Sequence, residues 1–179
     1  MSMRTLRLIA SSVAILAVGC RNPLDPKADV RIESFGGRAT FLQTDNSIIN
    51  QYYPTSVQFA SYGTVAAILT SYTVVYRQVG PQNDPACTQG PGQPICALGG
   101  AAGRRYAMRT HLAPRTNDST RNVPTTVTIH ILTSELLKYI VEHGDTVNGG
   151  LDLDLTFFGT DHNGHDLTVT GTFHIEVFN

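Results

Sequence analysis

The chain has 179 residues, 41% of them hydrophobic and only 15% charged, with a formal net charge of −1. That length allows one core, or one core plus a targeting segment, and the near-neutral balance excludes a polybasic surface for nucleic acid. With so few charges the polar surface must come largely from Thr, Ser, Asn and Gln, and threonine suits a half-exposed strand because its branched Cβ favours extended backbone.

The N-terminus, MSMRTLRLIASSVAILAVGC, places Arg4 and Arg7 before an uncharged run from Leu8 to Gly19, the order of a secretory signal peptide. Twelve helical residues reach ~18 Å, short of a ~30 Å hydrocarbon core, so a permanent membrane span is not expected there. The run ends Leu16-Ala17-Val18-Gly19-Cys20, which resembles the lipobox of bacterial lipoproteins, with Ala17 at the position most often held by Leu. The resemblance implies that residues 1–19 are a signal cut away in front of Cys20, and that the Cys20 thiol carries a diacylglycerol and its amine a further acyl chain. Membrane lipid is then the first expected partner, since two chains anchor firmly where one is marginal. Pro23 and Pro26 follow without any apolar pattern, so residues 20–28 are expected to form an extended tether holding a domain of residues 29–179 off the lipid. Many Gram-negative lipoproteins carry an Asp after the Cys as an inner-membrane retention mark; Arg21 is not that mark, so the resemblance points to the outer membrane. Losing Arg4 and Arg7 leaves 11 basic against 14 acidic residues, and no nucleic-acid partner is expected.

Beyond the tether, period-two alternation dominates. It predicts strands over Val30–Phe35, Arg38–Gln43, Thr55–Tyr62, Ala66–Arg77, Arg105–Leu112 and Thr125–Thr133, then Leu151–Phe157 and Leu167–Val177. The one helical pattern is TSELLKYIVEHG, with Leu136, Leu137, Ile140 and Val141 on one face, Thr133 or Ser134 as N-cap and Gly144 as terminator. Strands without βα alternation predict an all-β fold: an immunoglobulin-like antiparallel β-sandwich of about 7–8 strands with one short crossover helix.

The turn DHNGHD fixes a register. A two-residue Asn163-Gly164 loop would set Asp154 against Phe173 and mix wet with dry faces. A three-residue loop, His162-Asn163-Gly164 with Gly164 left-handed, pairs Phe157 with Val169, Leu153 with Phe173 and Leu151 with Ile175, and is therefore expected. The segment Tyr72-Thr-Val-Val-Tyr76 and the ending LTFFGTDHNGHDLTVTGTFHIEVFN resemble a group of uncharacterised bacterial lipoproteins with one immunoglobulin-like domain, over roughly Val57 to Asn179. That group brings no activity with it.

Cys87 and Cys96 sit in a Gly/Pro-rich stretch with little means of packing itself, and export to an oxidising compartment makes a disulfide the expected state. Free thiols or a metal pair are the alternatives, although the spacing has no zinc-site form. Asp161, His162, His165 and Asp166 are candidate metal donors at the hairpin tip, but tight turns demand the same residue types and the distal Glu of a calcium loop is missing. Arg105 and Arg109, with Arg104 and Arg115, could bind an anion; the plainer expectation pairs Arg105 and Arg109 with Asp152 and Asp154 across neighbouring strands. Tyr52, Tyr53, Tyr62 and Phe158 could form an aromatic platform for a glycan or protein. His111, His130, His143 and His174 occupy alternating or helix-end positions, where a solvent-facing histidine needs no special role.

No G-x-S-x-G, H-E-x-x-H or phosphate-binding glycine loop occurs. The expected function is that of a lipid-anchored, non-enzymatic protein of the cell envelope, structural or interactive, needing no cofactor, with an envelope protein or glycan as partner. A carbohydrate-binding module is the alternative, and behind it a metal-dependent enzyme using residues 161–166.

Overall fold

The computed structural model describes residues 25–36, 39–44, 47–52, 55–78, 94–116, 124–131, 133–143 and 150–178. Nine strands among them form two sheets. The smaller sheet is ordered β1-β4-β7, from Val30–Gly36, Ser56–Ser61 and Thr125–Thr128. The larger is ordered β3-β2-β9-β8-β5-β6, from Ser47–Tyr52, Ala39–Thr44, Asp166–Phe178, Leu151–Asp161, Ala67–Gln78 and Arg104–Leu112. The helix α1, Ser134–Glu142, lies between β7 and β8, and 3-10 turns at Cys96–Leu98 and Gly100–Ala102 precede β6. The fold is thus the expected all-β sandwich. Two details differ: β2 and β3 make a hairpin where one strand was expected, and β2 runs parallel to β9, with Phe41 beside Val177.

The core lies between the sheets. Leu151, Leu153, Leu155 and Phe157 of β8 have no measurable exposure, while their alternating neighbours are partly open. Phe157 meets Phe59 of the opposite sheet edge-on at 4.9 Å, a direct ring contact across the sandwich. Gly171 of β9 also faces inward, and a Cβ there would come within 2.8 Å of the Phe35 ring. The absent side chain leaves the space that Phe35 and Ile32 of β1 fill.

The β8–β9 register is the one derived from burial. Phe157 pairs with Val169, Leu153 with Phe173 and Leu151 with Ile175. Asp161 N–H donates to the His165 carbonyl at 2.9 Å and Gly164 N–H to the Asp161 carbonyl at 3.1 Å, closing the loop His162–Gly164. Gly164 has φ +84°, a conformation that costs glycine little.

Elsewhere the alternation is interrupted. Pairing of β5 with β8 jumps from Leu69↔Gly159 to Ser71↔Phe158, so Thr70 is an extra residue and the inward phase switches from Leu69 to Tyr72, Val74 and Tyr76. Tyr72 and Tyr76 can then reach the segment after β7. The Tyr72 hydroxyl accepts from His130 N–H at 3.0 Å, and the Tyr76 hydroxyl donates to the Ile131 carbonyl at 2.7 Å. This explains why β7 stops at Thr128 when the sequence pattern runs to Thr133: Ile129 and Ile131 turn in to plug the core.

In α1 the cap is as expected, with Thr133 Oγ1 accepting from Leu136 N–H at 3.1 Å. The buried face is Leu136, Tyr139 and Ile140, whereas Val141 is 37% exposed, a correction to the face read from the sequence. The expected terminator Gly144 lies outside the described residues.

The bulge yields a stability prediction. A Cβ on Gly159 would land on the Ile68 carbonyl and 2.9 Å from Leu69 Cα, so Gly159→Ala should destabilise by about 1–3 kcal/mol in urea unfolding.

Candidate functional site

The densest polar cluster among the described residues surrounds the tip of the β8–β9 hairpin. Asp161 ends β8 on an inward-phase position, and its carboxylate side chain is only 2% exposed. A buried charge needs donors. Asp161 Oδ1 accepts from the backbone N–H groups of Asn163 at 2.9 Å and His165 at 2.8 Å; Oδ2 accepts from Ala28 N–H at 3.1 Å and lies 3.0 Å from His165 Nδ1. Two of these donors are backbone groups of the turn and of the residue that follows it, so the turn geometry and the ionised carboxylate require each other.

The other side of the cluster is the segment just ahead of β1. His165 Nε2 stands 3.2 Å from Asp25 Oδ2, Asn163 Nδ2 donates to the Pro26 carbonyl at 2.8 Å, and Tyr62 N–H donates to the Asp29 carbonyl at 2.7 Å. Residues Asp25–Asp29 form a strap bonded to the hairpin tip. This corrects the expected boundary: a tether of residues 20–28 was read from the prolines, but the chain joins the body by Asp25. The reason is long-range hydrogen bonding, since Ala28 and Asp161 are 133 positions apart.

Of the four candidate metal donors, Asp161 and His165 meet, while His162 and Asp166 are exposed. Asp25 and Asp161 approach opposite nitrogens of the His165 ring, so their oxygens do not converge on a point. No group of three His, Cys, Asp or Glu able to hold a metal ion is found among the described residues.

The outer face of the larger sheet corrects the expected charge pairing. Asp154 bonds Arg77 Nε and accepts from Thr172 Oγ1 at 3.0 Å; Asp152 lies 2.8 Å from His174 Nδ1. Arg105 instead donates to Ser71 Oγ at 2.8 and 3.1 Å and sits 5.1 Å above the Phe158 ring, and Arg104 pairs with Glu135 at 3.3 Å. The register explains the exchange. Asp152 and Asp154 lie opposite Arg77 and Val75 of β5, and β5 stands between them and β6, so the nearer Arg77 and His174 take the pairings. Arg109 is exposed on the same face of β6, and no anion site joins it to Arg104 and Arg105.

The aromatic platform does not assemble from its described members. Tyr62 bonds Glu33 and stacks under Arg31 at 4.6 Å, whereas Phe158 lies beneath Arg105 on the larger sheet. The side chains of Tyr52 and Tyr53 lie outside the described residues. Cys96 opens a 3-10 turn; Cys87 and Cys20 lie outside the described residues. Between that turn and α1 is a cavity of about 240 Å³ bordered by Leu98, Tyr139, His143 and Glu142. The His143 ring stacks on Tyr139 at 4.4 Å.

Comparison of the chain with protein families, with curated proteins and with solved structures finds no match.

The strap residues Asp25, Pro26 and Ala28 escaped the sequence reading, because nothing local distinguishes them from a tether. A usable signal was the Asp161–His165 spacing: an aspartate before a three-residue turn can collect the turn's own N–H groups.

The electrostatics of Asp161 predict acid sensitivity. Burial raises its pKa, but donation from His165 and Ala28 N–H and from the His165 ring outweighs burial and holds it at about 2, against 3.8 ordinarily. With the folded value depressed, this stabilisation is whole above the ordinary value and drains away as pH falls from about 4 through 2. Asp161→Asn should lower stability at neutral pH by roughly 1–3 kcal/mol and flatten that acid slope, measured by urea unfolding across the range.

Proposed function

We propose that this chain is a lipid-anchored protein of the bacterial cell envelope, acting as a structural or interaction module. The observation that carries the reading is continuity between anchor and body: Cys20 of the lipobox stands five residues before Asp25, where the strap meets the hairpin tip. A freely swinging domain would not need that fastening. The described residues contain no helix long and apolar enough to cross a membrane, so a lipid at Cys20 is the attachment the reading calls on. Arg21 in place of the retention Asp favours the outer membrane.

The strand order supports an immunoglobulin-like description of the sandwich. Taking β1, β4 and β7 as A, B and E, and β9, β8, β5 and β6 as G, F, C and C′, reproduces that topology, with β2 inserted beside G. The reading involves no catalysis. The lone pairs of the buried carboxylate are occupied by donors, and a base or ligand needs them open. Glycan binding is not favoured, because Tyr62 and Phe158 are each covered by an arginine.

Cys20→Ser decides the anchoring: wild-type protein should incorporate labelled fatty acid and pellet with membranes, and the variant should lose both. Retained labelling in the variant would refute the reading. The compartment has its own test. We propose that Cys87 is the partner of Cys96, so thiol labelling of unreduced protein should find neither, and reduction should cost about 2–3 kcal/mol of stability.

A further inference from the structure

Resting on the reading that Cys20 carries lipid, we propose that the end of the sandwich bearing the β8–β9 tip is the membrane-facing surface, seated on the lipid headgroups, with the α1 end outermost.

The geometry begins with reach. Cys20 and Asp25 are five residues apart, which spans at most ~17 Å fully extended. Asp25 is joined to the tip through His165, Pro26 through Asn163 and Ala28 through Asp161, so the hairpin loop cannot drift away from the lipid while these bonds hold. β8 has eleven residues and carries the chain ~36 Å from that end to the other. The far end holds Leu151, the 3-10 turn at Cys96 and α1, since Gln78 pairs with Leu151 and Pro94 with Arg77.

The chemistry of the near end suits headgroups. Lys27 of the strap and Arg115 are both exposed, and Arg115 is held there by its N–H donating to the Gly63 carbonyl at 2.9 Å. Of the acids at this end, Asp25 is engaged by His165, Asp29 by Arg31 and Asp161 by its buried donors, while Asp166 is exposed beside the loop. Lys27 and Arg115, facing outward beside the strap, complement anionic lipid.

The test uses the processed full protein purified from membranes and reconstituted into phosphatidylethanolamine–phosphatidylglycerol nanodiscs containing a gadolinium-chelating headgroup. Backbone amide spectra should lose the signals of Gly63, Asn163 and Gly164 while those of Ala97, Lys138 and Tyr139 persist. Equal loss at both ends, or loss confined to the α1 end, overturns the inference. Intact mass of the same sample separates the two readings. An acylated Cys20 with the wrong pattern of loss overturns this orientation alone, and an unacylated Cys20 overturns the anchoring and the orientation together.

Discussion

The structure turns on one buried charge. Asp161 gives up water for hydrogen bonds contributed by two distant stretches of chain, its own turn and the segment ahead of β1. Removing any contributor leaves an ionised group short of donors in a site where that shortage is expensive. The turn type, the β8–β9 register and the docking of the N-terminal strap are therefore one constraint. A one-residue slip of the hairpin would bring hydrophobic side chains to the surface and also withdraw the N–H groups that keep Asp161 ionised. His165 extends the network outward. Carboxylate oxygens of Asp25 and Asp161 flank its two ring nitrogens.

A second device sets the opposite end. The extra residue Thr70 moves the inward phase of β5 by one, and the close approach of Gly159 to the Ile68 carbonyl makes room for it. Without that step Tyr72 and Tyr76 would point to solvent, and the segment around His130 and Ile131 would lose the hydroxyls that fix it. The bulge thus links strand phase to closure of the core beneath α1. Phe157 stacks within 5.6 Å of Tyr72 and meets Phe59 across the sandwich, so the re-phased strand, its neighbour and the facing sheet share one aromatic contact.

What the sequence disclosed and what it hid follow from range. β8 and β9 were legible because each has one wet and one dry face, and their turn supplied the register with local information alone. β3 was not, since SIINQY places two isoleucines side by side and shows no alternation. Tyr139 was overlooked beside Val141 because helical periodicity alone does not say which flank of an apolar stripe the sheets will cover. The ion pairs were misassigned for a topological reason: composition revealed acids on one strand and arginines on another, but only strand order reveals that β5 stands between them. The strap was least legible of all, because proline-containing backbone with no apolar pattern reads as a linker until a partner more than a hundred residues away is in place.

The same pairings explain why the molecule is asymmetric along its strands and bland across them. On the broad outer face, Asp152 is matched by His174, Asp154 by Arg77 and Thr172, and Arg105 by Ser71, all between adjacent strands, while Arg105 also reaches across β5 to the Phe158 ring. Between them Thr73, Thr156 and Thr170 lie side by side across β5, β8 and β9, a neutral row with branched side chains suited to pleated backbone. Each exposed pair contributes little to stability. Together, though, they leave Asp152, Asp154 and Arg105 already matched, with Arg109 exposed beside them, so a partner docking on those pairs would have to replace contacts rather than add them. At the strap end the accounting differs, because Asp25, Asp29 and Asp161 are engaged while Lys27 and Arg115 face out alongside Asp166. The electrostatic character that a surface could recognise is thereby concentrated at the end where the chain leaves the sandwich towards Cys20.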